Sequence, residues 1–405
     1  SHKKSLPSCR AIITPKNIKQ SDLIKEVYTY TEGKQSGYTS DKKIGSKAKK
    51  IYPEFGRNAK YLPIMSIEEY LNKEKINFDK RIEGDSPPLL LVQDDDFQYI
   101  RFLGKGAYAT VNMVKKLDND LYYARKEMPK QVIFINKRVG DVKNEKRILQ
   151  SVRHPFTINL KHFYQDHINI YFLLPLMAGG ELYGYIKKSG KFKEDRAKFV
   201  LSQLVLALEY LHHLGLIHRD LKLENILLDH LGYIKLGDFG MCKWIKHDRT
   251  YTICGTAEYL APEVLNHTGY GLAADWWSFG VLTFEICSGR TPFVADEYLQ
   301  IFYLIMRNQY EMPKSFSYPL SNLISHLLEV DLTRRYGNLK DGVEDIKSHD
   351  FFKHTHWIEL INRKIDSPLL TIMKLPESDF FEPQPQPPTI RDDLKKAYNE
   401  HFQDF

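Results

Sequence analysis

The feature that most constrains the fold is a change in hydrophobic periodicity that begins at Phe97. The runs FQYIRFLGKGAYATVNMVKK and LYYARKEM alternate and are rich in β-branched and aromatic residues, which is typical of antiparallel strands. A strand-like run at 167–177 is followed by two long apolar helical patterns, at 194–215 and 274–289, each ending at a glycine. The order predicts an α+β chain in which a small β-rich lobe precedes a larger helical lobe. The pattern VGDVKNEKRILQSV (139–152) gives the small lobe one helix.

The first 96 residues differ from the rest in charge and regularity. Residues 1–60 hold 14 Lys and Arg against 5 Asp and Glu, a net charge of +9, whereas the whole chain carries +7. A basic segment of this kind suits nucleic acid or anionic lipid. Its sparse aromatic residues favour instead a solvated, partly irregular extension, so we expect no nucleic-acid partner. A short helix is predicted at 65–78, because Ser66 is a suitable N-cap and Glu69 completes a capping box.

Cysteine spacing and hydropathy bear on the compartment. The chain has four cysteines, far apart and without metal-ligand spacing, which indicates reduced thiols in an intracellular protein. No apolar run reaches about 18 residues, so no transmembrane segment is expected. We expect a cytoplasmic location, with nuclear or membrane association through partners left open. The last fifty residues lose regular pattern and include EPQPQPP (382–388), a polyproline-like spacer.

Several short motifs succeed one another in the chain. HRDLKLEN (218–225) is followed by DFG (238–240) and then by APE (261–263), while Lys126 and the helical Glu145 precede them. Singly, a Lys–Glu pair is usually a surface ion pair and DFG is usually a turn. In this order and at these spacings the motifs resemble the signature of the protein kinases. The resemblance implies a bilobal kinase fold and three parts: an N-terminal extension (1–96), a kinase domain (97–352) and a C-terminal tail (353–405).

Phosphoryl transfer explains why these residue types are needed, since it asks for positioning and for neutralisation of several negative charges. Asp220 is expected to accept the proton of the substrate hydroxyl, and Lys222 to stabilise charge on the transferring group. Asn225 and Asp238 offer hard oxygens suited to Mg²⁺. The resemblance assigns the α- and β-phosphates of ATP to Lys126. It assigns the orientation of that lysine to Glu145.

The run LGKGAYATV matches two of the three glycines of a phosphate-covering loop, with Ala109 at the third position. With a negative φ at Ala109, the methyl group would cost little free energy and would stiffen the loop. With a positive φ, it would cost about 1 kcal/mol or more. We expect retained activity with altered ATP affinity. The resemblance implies that the residues around ATP are Leu103, Gly104, Lys105, Gly106, Ala107, Tyr108, Ala109, Val111, Ala124, Lys126, Leu174, Pro175, Met177 and Leu227.

A closer resemblance is carried by RTYTICGTAEYLAPEVL, AADWWSFGVL and LTRRYGNLKDGVEDIKSHDFF, which are similar to the AGC group and especially to the catalytic subunits of cAMP-dependent protein kinases. The terminal FQDF is similar to the Phe-x-x-Phe of that group, which folds back into a groove of the small lobe. The resemblance implies a Ser/Thr kinase whose protein or peptide substrates carry basic residues before the phosphoacceptor. The implied substrate contacts are Glu181, Glu224 and Glu285 for arginines, and Ile253, Ala257 and Leu260 for the following residue.

Regulation is also implied by the resemblance. Thr252 matches the activation-loop threonine, phosphorylated by an upstream kinase or by the chain itself and then bound through Arg219 and Lys243. Thr256 matches the residue that contacts the catalytic Asp and Lys. A separate cAMP-binding regulatory subunit is the expected inhibitor. The large lobe is expected to be braced by a buried ion pair between Glu263 and Arg335.

Three positions depart from the group's pattern. Pro175 replaces an acidic hinge residue, but the hinge reads adenine through the backbone and proline keeps its carbonyl. Leu223 replaces a common proline. Asp141 stands where a histidine usually faces the activation-loop phosphate, which an acid would repel. Two alternatives remain open at this stage: another AGC kinase, such as a cGMP-dependent one, and a pseudokinase scaffold, against which the intact Lys126 and Asp220 argue.

Overall fold

The computed structural model describes residues 64–85, 92–245, 249–373, 401–402 and 405 of the chain. The alternating run from Phe97 forms an antiparallel sheet of five strands in the order β1-β2-β3-β5-β4. The predicted strands are therefore confirmed. They are β1 (Phe97–Lys105), β2 (Thr110–Lys116), β3 (Tyr122–Pro129) and β5 (Asn169–Pro175), whereas β4 (His162–Gln165) was not predicted.

Three helices lie before or within the small lobe: α1 (Ile67–Lys80), α2 (Lys130–Ile135) and α3 (Val139–Ser151). The sequence predicted α1 and α3. It did not indicate α2, because the β-branched run VIFI is more typical of a strand than of a helix. Pro129, the last residue of β3, is the N-cap of α2, and proline has no amide hydrogen with which to continue a strand ladder.

The large lobe is mainly helical, as predicted. Its helices are α4 (Leu182–Ser189), α5 (Glu194–His213), α6 (Pro262–Leu265), α7 (Ala273–Ser288), α8 (Tyr298–Met306), α9 (Tyr318–Leu327), α10 (Glu344–Lys347) and α11 (Trp357–Ile361). Short strands form two small sheets: β6 (Gly180–Glu181), β8 (Ile226–Leu228) and β9 (Ile234–Leu236) in one, and β7 (Leu216–Ile217) and β10 (Lys243–Trp244) in the other. Single 3₁₀ turns occur at Asp94–Asp96, Leu223–Asn225, Ala257–Tyr259 and Asp350–Phe352.

Helix α7 is the centre of the large-lobe core. All of its residues except Glu285 and Ser288 are buried, which explains its nearly continuous apolar sequence. It ends at Gly289, whose φ of 85° lies in the left-handed region that glycine adopts without a Cβ penalty. The two predicted long helices are thus confirmed. Among the described residues, no helix combines the length and apolarity needed to cross a membrane.

The N-terminal helix α1 is bound to the rest of the molecule. The side-chain oxygen of Ser66 accepts the amide of Glu69 at 3.3 Å, as expected of an N-cap. Phe78, near the end of α1, is completely buried and lies edge-on to Trp244, with ring centroids 5.9 Å apart. Immediately after α1, Arg81 donates to the backbone oxygen of Ser151 at 2.7 Å. This part of the extension therefore braces α3 and the large lobe together.

The two terminal phenylalanines lie against the small lobe. Phe402 is buried, and its backbone oxygen accepts the Gln165 side chain at 3.1 Å. Phe405 stacks on Phe163 at 5.7 Å, and the Lys146 ammonium lies over both rings. These contacts match the fold-back expected from the resemblance. The spacer predicted at 382–388 lies outside the described residues.

Candidate active site

The loop that carries HRDLKLEN runs from β7 to β8 and is fixed from below by one buried side chain. Asp275 of α7 accepts the backbone amides of His218 and Arg219, both at 2.9 Å, and also contacts His212 Nε2 at 2.8 Å. Arg219 has a φ of 69°, a strained conformation that such anchoring stabilises. Sequence reasoning gave Asp275 no role. An aspartate inside an otherwise apolar helix was the available signal, since a buried carboxylate needs partners.

Asp220 is held on both carboxylate oxygens. Thr256 donates its hydroxyl to Oδ1 at 2.9 Å, while Lys222 and Asn225 donate to Oδ2 at 2.8 and 3.0 Å. Lys222 also lies 3.2 Å from the Thr256 oxygen. Burial lowers the pKa of Lys222, but the Asp220 charge and hydrogen bond outweigh it, and the net shift is upward. Lys222 therefore carries a positive charge beside the carboxylate.

Lys126 of β3 joins the small lobe to the floor of the cleft. Its ammonium contacts Glu145 of α3 at 2.6 Å and Asp238 at 3.8 Å. Burial lowers the pKa of Lys126, but the charges of Glu145 and Asp238 overcome that effect, so the pKa is raised and the ammonium stays protonated. The pair expected from sequence is formed, with α3 in contact with the cleft.

Asp238 and Asn225 present oxygens that fit a hard cation. Enclosure raises the pKa of Asp238, but the Lys126 charge and the Gly240 amide outweigh it, so the pKa is lowered and the group is ionised. Among the described residues, the Lys126 ammonium and the Gly240 amide both approach Oδ1 of Asp238. The Asp238 side chain is 50% exposed. The amide nitrogen of Asn225 is directed at Asp220. Its oxygen is thereby directed away from that carboxylate, and carboxylate and amide oxygens are ligands that Mg²⁺ takes.

The glycine-containing run joins β1 to β2 through a tight turn in which the Gly106 amide donates to the Ala109 oxygen at 2.8 Å. Ala109 does not adopt a positive φ, so the methyl group carries no backbone strain. The two glycines also avoid the left-handed region, and a Cβ on Gly104 would meet nothing in the described chain within 4 Å. Glycine at these two positions therefore keeps the space beside the turn free of side chains. It is not needed there for an unusual backbone angle. Tyr108, at the tip, lies on the Arg138 guanidinium, 4.8 Å from the ring centroid.

Most of the other residues expected around ATP lie on facing strands of the small lobe. Val111 is paired with Lys126, and Ala124 with Leu174. Leu227 lies on β8 in the large lobe, opposite this sheet. The remaining positions are Pro175 and Met177, which are buried in the hinge, Leu103 and Lys105, which are exposed at the end of β1, and Ala107, which is exposed in the following turn.

The three glutamates expected to recognise arginine form one acidic group. Burial raises the pKa of Glu181, with Glu224 as the next cause. Burial likewise raises the pKa of Glu285 to about 7, where the Tyr259 hydroxyl opposes the shift and Glu224 adds to it. Tyr259 donates a hydrogen bond to Glu285. Three carboxylates sharing one surface make an environment that stabilises a guanidinium.

The activation segment follows DFG and carries the remaining predicted residues. Ile253 and Ala257 are partly buried, whereas Leu260 is in the core. Thr252 is exposed, and its backbone oxygen accepts the hydroxyl of Tyr270 at 2.6 Å. The other groups named by the resemblance lie nearby: Arg219 donates Nε to Met241 and has a buried Nη1 with no partner among the described residues, and Lys243 donates to Thr250 at 3.2 Å.

The base of the large lobe contains the expected buried ion pair. Arg335 donates Nη1 and Nη2 to the two carboxylate oxygens of Glu263 at 2.6 and 3.0 Å. Its guanidinium also lies 5.1 Å from the ring centroid of Trp277 and donates to the Ala273 oxygen. The charge is thus completely paired although Arg335 has no exposed surface.

Comparison with known proteins identifies the family. The description "Protein kinase domain" matches residues 97–352, more than half of the chain. The chain belongs to the protein kinase family. It is 40% identical over 288 residues to the cAMP-dependent protein kinase catalytic subunit of Dictyostelium discoideum, covering 71% of this chain and 44% of that one. It is 41% identical to catalytic subunit 2 of Drosophila melanogaster, covering 66% and 75%.

A relative named for a different kinase is also similar: the RAC-beta serine/threonine-protein kinase B of Xenopus laevis is 39% identical, covering 68% of this chain and 57% of the relative. The chain spans 44% and 53% of two of the cAMP-dependent relatives, those of Dictyostelium discoideum and Schizosaccharomyces pombe. The predicted resemblance to AGC kinases of the cAMP-dependent type is confirmed, as is the bilobal α+β fold.

Proposed function

We propose that the chain transfers the γ-phosphoryl group of ATP to serine or threonine hydroxyls in basic peptides. The observation that carries the proposal is the arrangement of Asp220. It is buried, with Lys222, Asn225 and Thr256 fixing its two oxygens at 2.8 to 3.0 Å. A carboxylate held in one orientation at a cleft is suited to accept the proton of an incoming hydroxyl.

The charges around this carboxylate suit a phosphate substrate. Lys126 and Lys222 bring two ammonium groups into one cleft, each kept protonated by a carboxylate partner. Kinases use ATP with divalent metal, which neutralises phosphate charge when bound. We assign Mg²⁺ to Asp238 and Asn225, because their oxygens are hard and available. The pairing of Lys126 with Glu145 holds α3 against the cleft, as an active kinase requires.

The acidic group of Glu181, Glu224 and Glu285 supports a preference for arginine before the phosphoacceptor. Each glutamate comes from a different element: the start of α4, the catalytic loop and α7. An extended peptide that places two guanidinium groups here would offset the charge of Glu224, which adds to the effect of burial in raising the pKa of Glu181 and of Glu285. Ile253 and Ala257 are left partly exposed to the residue after the phosphoacceptor.

For regulation, we propose phosphorylation of Thr252, by an upstream kinase or by the chain itself. Thr252 is exposed to a modifying enzyme, and Arg219 has one buried nitrogen with no partner among the described residues. A phosphate is an anion that would pair with it. A separate cAMP-binding subunit is proposed as inhibitor, by analogy with the names of the relatives. A cytoplasmic location stays a prediction from composition.

A peptide panel tests the proposed function. Radiolabelled ATP and Mg²⁺ are supplied with an Arg-Arg-x-Ser peptide, with the same peptide carrying Ala for both arginines, and with a version carrying Ala for Ser. We expect transfer to the first peptide, a much lower kcat/KM for the second and none to the third. Absence of transfer to every peptide would contradict the proposal, and equal transfer to the first two would contradict the basic preference alone. Capture of a regulatory subunit that is released by cAMP would support the proposed inhibitor.

A further inference from the structure

The tip of the glycine loop touches a residue to which no role was given above. Arg138 precedes α3, and its guanidinium lies 4.8 Å from the centroid of the Tyr108 ring. The same side chain is paired with Asp141 in the first turn of α3, Nε to Oδ2 at 3.0 Å. The Arg138 side chain is only 17% exposed. It therefore lies between the loop and the helix rather than in open solvent.

Arg138 also lies within electrostatic reach of the catalytic pair. The pKa of Lys126 is set first by burial and then by Glu145 and Asp238, and the Arg138 charge is the next contribution. One end of α3 thus bears an arginine against the loop tip. Glu145, which holds Lys126, lies two turns further along the same helix.

Asp141 directs Arg138 toward the loop. An exposed arginine samples many rotamers, and an acid three residues further along a helix restricts them. Burial raises the pKa of Cys254 in the activation segment, and the Asp141 charge adds a smaller contribution, so this carboxylate lies within electrostatic range of that segment. The cation and the acid at the start of α3 are therefore paired with each other in this chain.

We propose that Arg138 is a positioning residue, which ties the tip of the glycine loop to the start of α3 through the ring of Tyr108. Closure of the loop over phosphate then favours the position of α3 in which Glu145 holds Lys126. The tight turn between Gly106 and Ala109 keeps Tyr108 at the tip, so the ring meets the guanidinium without further loop rearrangement. The inference rests on the proposed function, because loop closure matters only if the cleft binds ATP.

The size of the effect follows from the contact. A cation over an aromatic ring at a partly exposed site corresponds to about a two- to fivefold change in an equilibrium constant. Arg138→Gln and Tyr108→Leu should each raise KM for ATP by about that factor, with a smaller change in kcat. Tyr108→Phe keeps the ring, so its KM for ATP should rise less than that of Tyr108→Leu. The double variant should be no worse than either single one, because the two residues act through one contact.

The experiment measures KM and kcat with an Arg-Arg-x-Ser peptide, and amide hydrogen exchange across 104–109 with a non-hydrolysable ATP analogue. Lys137→Gln is the matched control, since it removes a neighbouring exposed charge. Thermal unfolding identifies any variant that fails to fold. Faster loop exchange in Arg138→Gln and Tyr108→Leu, with a smaller change in Tyr108→Phe and none in Lys137→Gln, supports the proposal.

Parent-like KM and loop exchange in Arg138→Gln would overturn the proposal and leave the kinase assignment intact. Additive losses in the double variant would overturn it too, since they would show separate roles. If the parent chain transferred no phosphate, the proposed function would fail. The exchange measurement would still decide whether Arg138 restrains the loop.

Discussion

Replacing Phe78 by alanine tests whether the N-terminal helix braces the kinase domain. Phe78 is completely buried at the end of α1 and lies edge-on to Trp244. Ile76, on the same helix, is 60% exposed and provides a matched control. Both variants shorten an apolar side chain to alanine in one helix, so they differ mainly in burial.

The magnitude follows from the area lost. A buried phenylalanine removes about 150–250 Å² from water, and its truncation to alanine costs about 3–5 kcal/mol with the cavity included. Leu71 and Phe78 are the buried apolar residues of α1, and Ile82 is buried just after it. The hydrogen bonds of this segment include that of Tyr70 to the Arg153 backbone and that of Arg81 to the Ser151 backbone. We expect α1 to detach locally before the domain unfolds.

Amide hydrogen exchange resolves this outcome by segment. In Phe78→Ala, exchange at 67–80 should rise by two orders of magnitude or more, since about 3 kcal/mol corresponds to roughly a hundredfold. Exchange in α3 should rise less, because α3 loses the Arg81 contact but keeps Lys126. Ile76→Ala should show little change. Parent-like protection of 67–80 in Phe78→Ala would refute the reasoning, as would equal effects of the two variants.

Three further outcomes are expected. Arg335→Met should lower the free energy of unfolding in urea by about 3–5 kcal/mol, because it leaves Glu263 buried and unpaired. A double variant with apolar residues at both positions should lose less, and an equal loss in the two variants would contradict this prediction. With the pKa of Glu285 raised to about 7, its ionised fraction increases roughly tenfold from pH 6 to 8. KM for an arginine peptide should fall over that range, and Glu285→Gln should flatten the dependence. The same raised pKa makes folding stability fall as pH rises toward 7. Ala109→Gly should loosen the glycine loop and change KM for ATP while activity is retained; an unchanged KM would show the substitution to be silent.

The parts of the site that sequence reasoning located are those whose chemistry dictates residue type and order. Lys126, Glu145, Asp220 and Asp238 come from elements far apart in the chain, and the structure brings them together as the motifs indicated. The strands and the two long helices followed from periodicity. The hydrophobic periodicity of a strand or helix can be seen within one short stretch of the chain. The types and order of the catalytic residues are set by the chemistry of phosphoryl transfer.

The features that could not be predicted from the sequence depend on contacts between residues that are far apart in the chain. The docking of α1 joins Phe78 to Trp244 and Ile64 to Asn362, pairs that no local pattern relates. The contact between Tyr108 and Arg138 likewise needs the loop conformation. Helix α2 went unpredicted because tertiary packing outweighed the strand propensity of its β-branched residues.

The most direct measurement of the central claim compares Asp220→Asn with Asp195→Asn, an equivalent change at an exposed site on α5. Transfer of labelled phosphate from ATP to an Arg-Arg-x-Ser peptide is followed for both variants and the parent, with ATP affinity measured in parallel. We predict that Asp220→Asn binds ATP but loses at least about a hundredfold in kcat, since general-base catalysis contributes that much, while Asp195→Asn matches the parent. Equal turnover by Asp220→Asn, or no turnover by a parent chain that binds ATP, would contradict it.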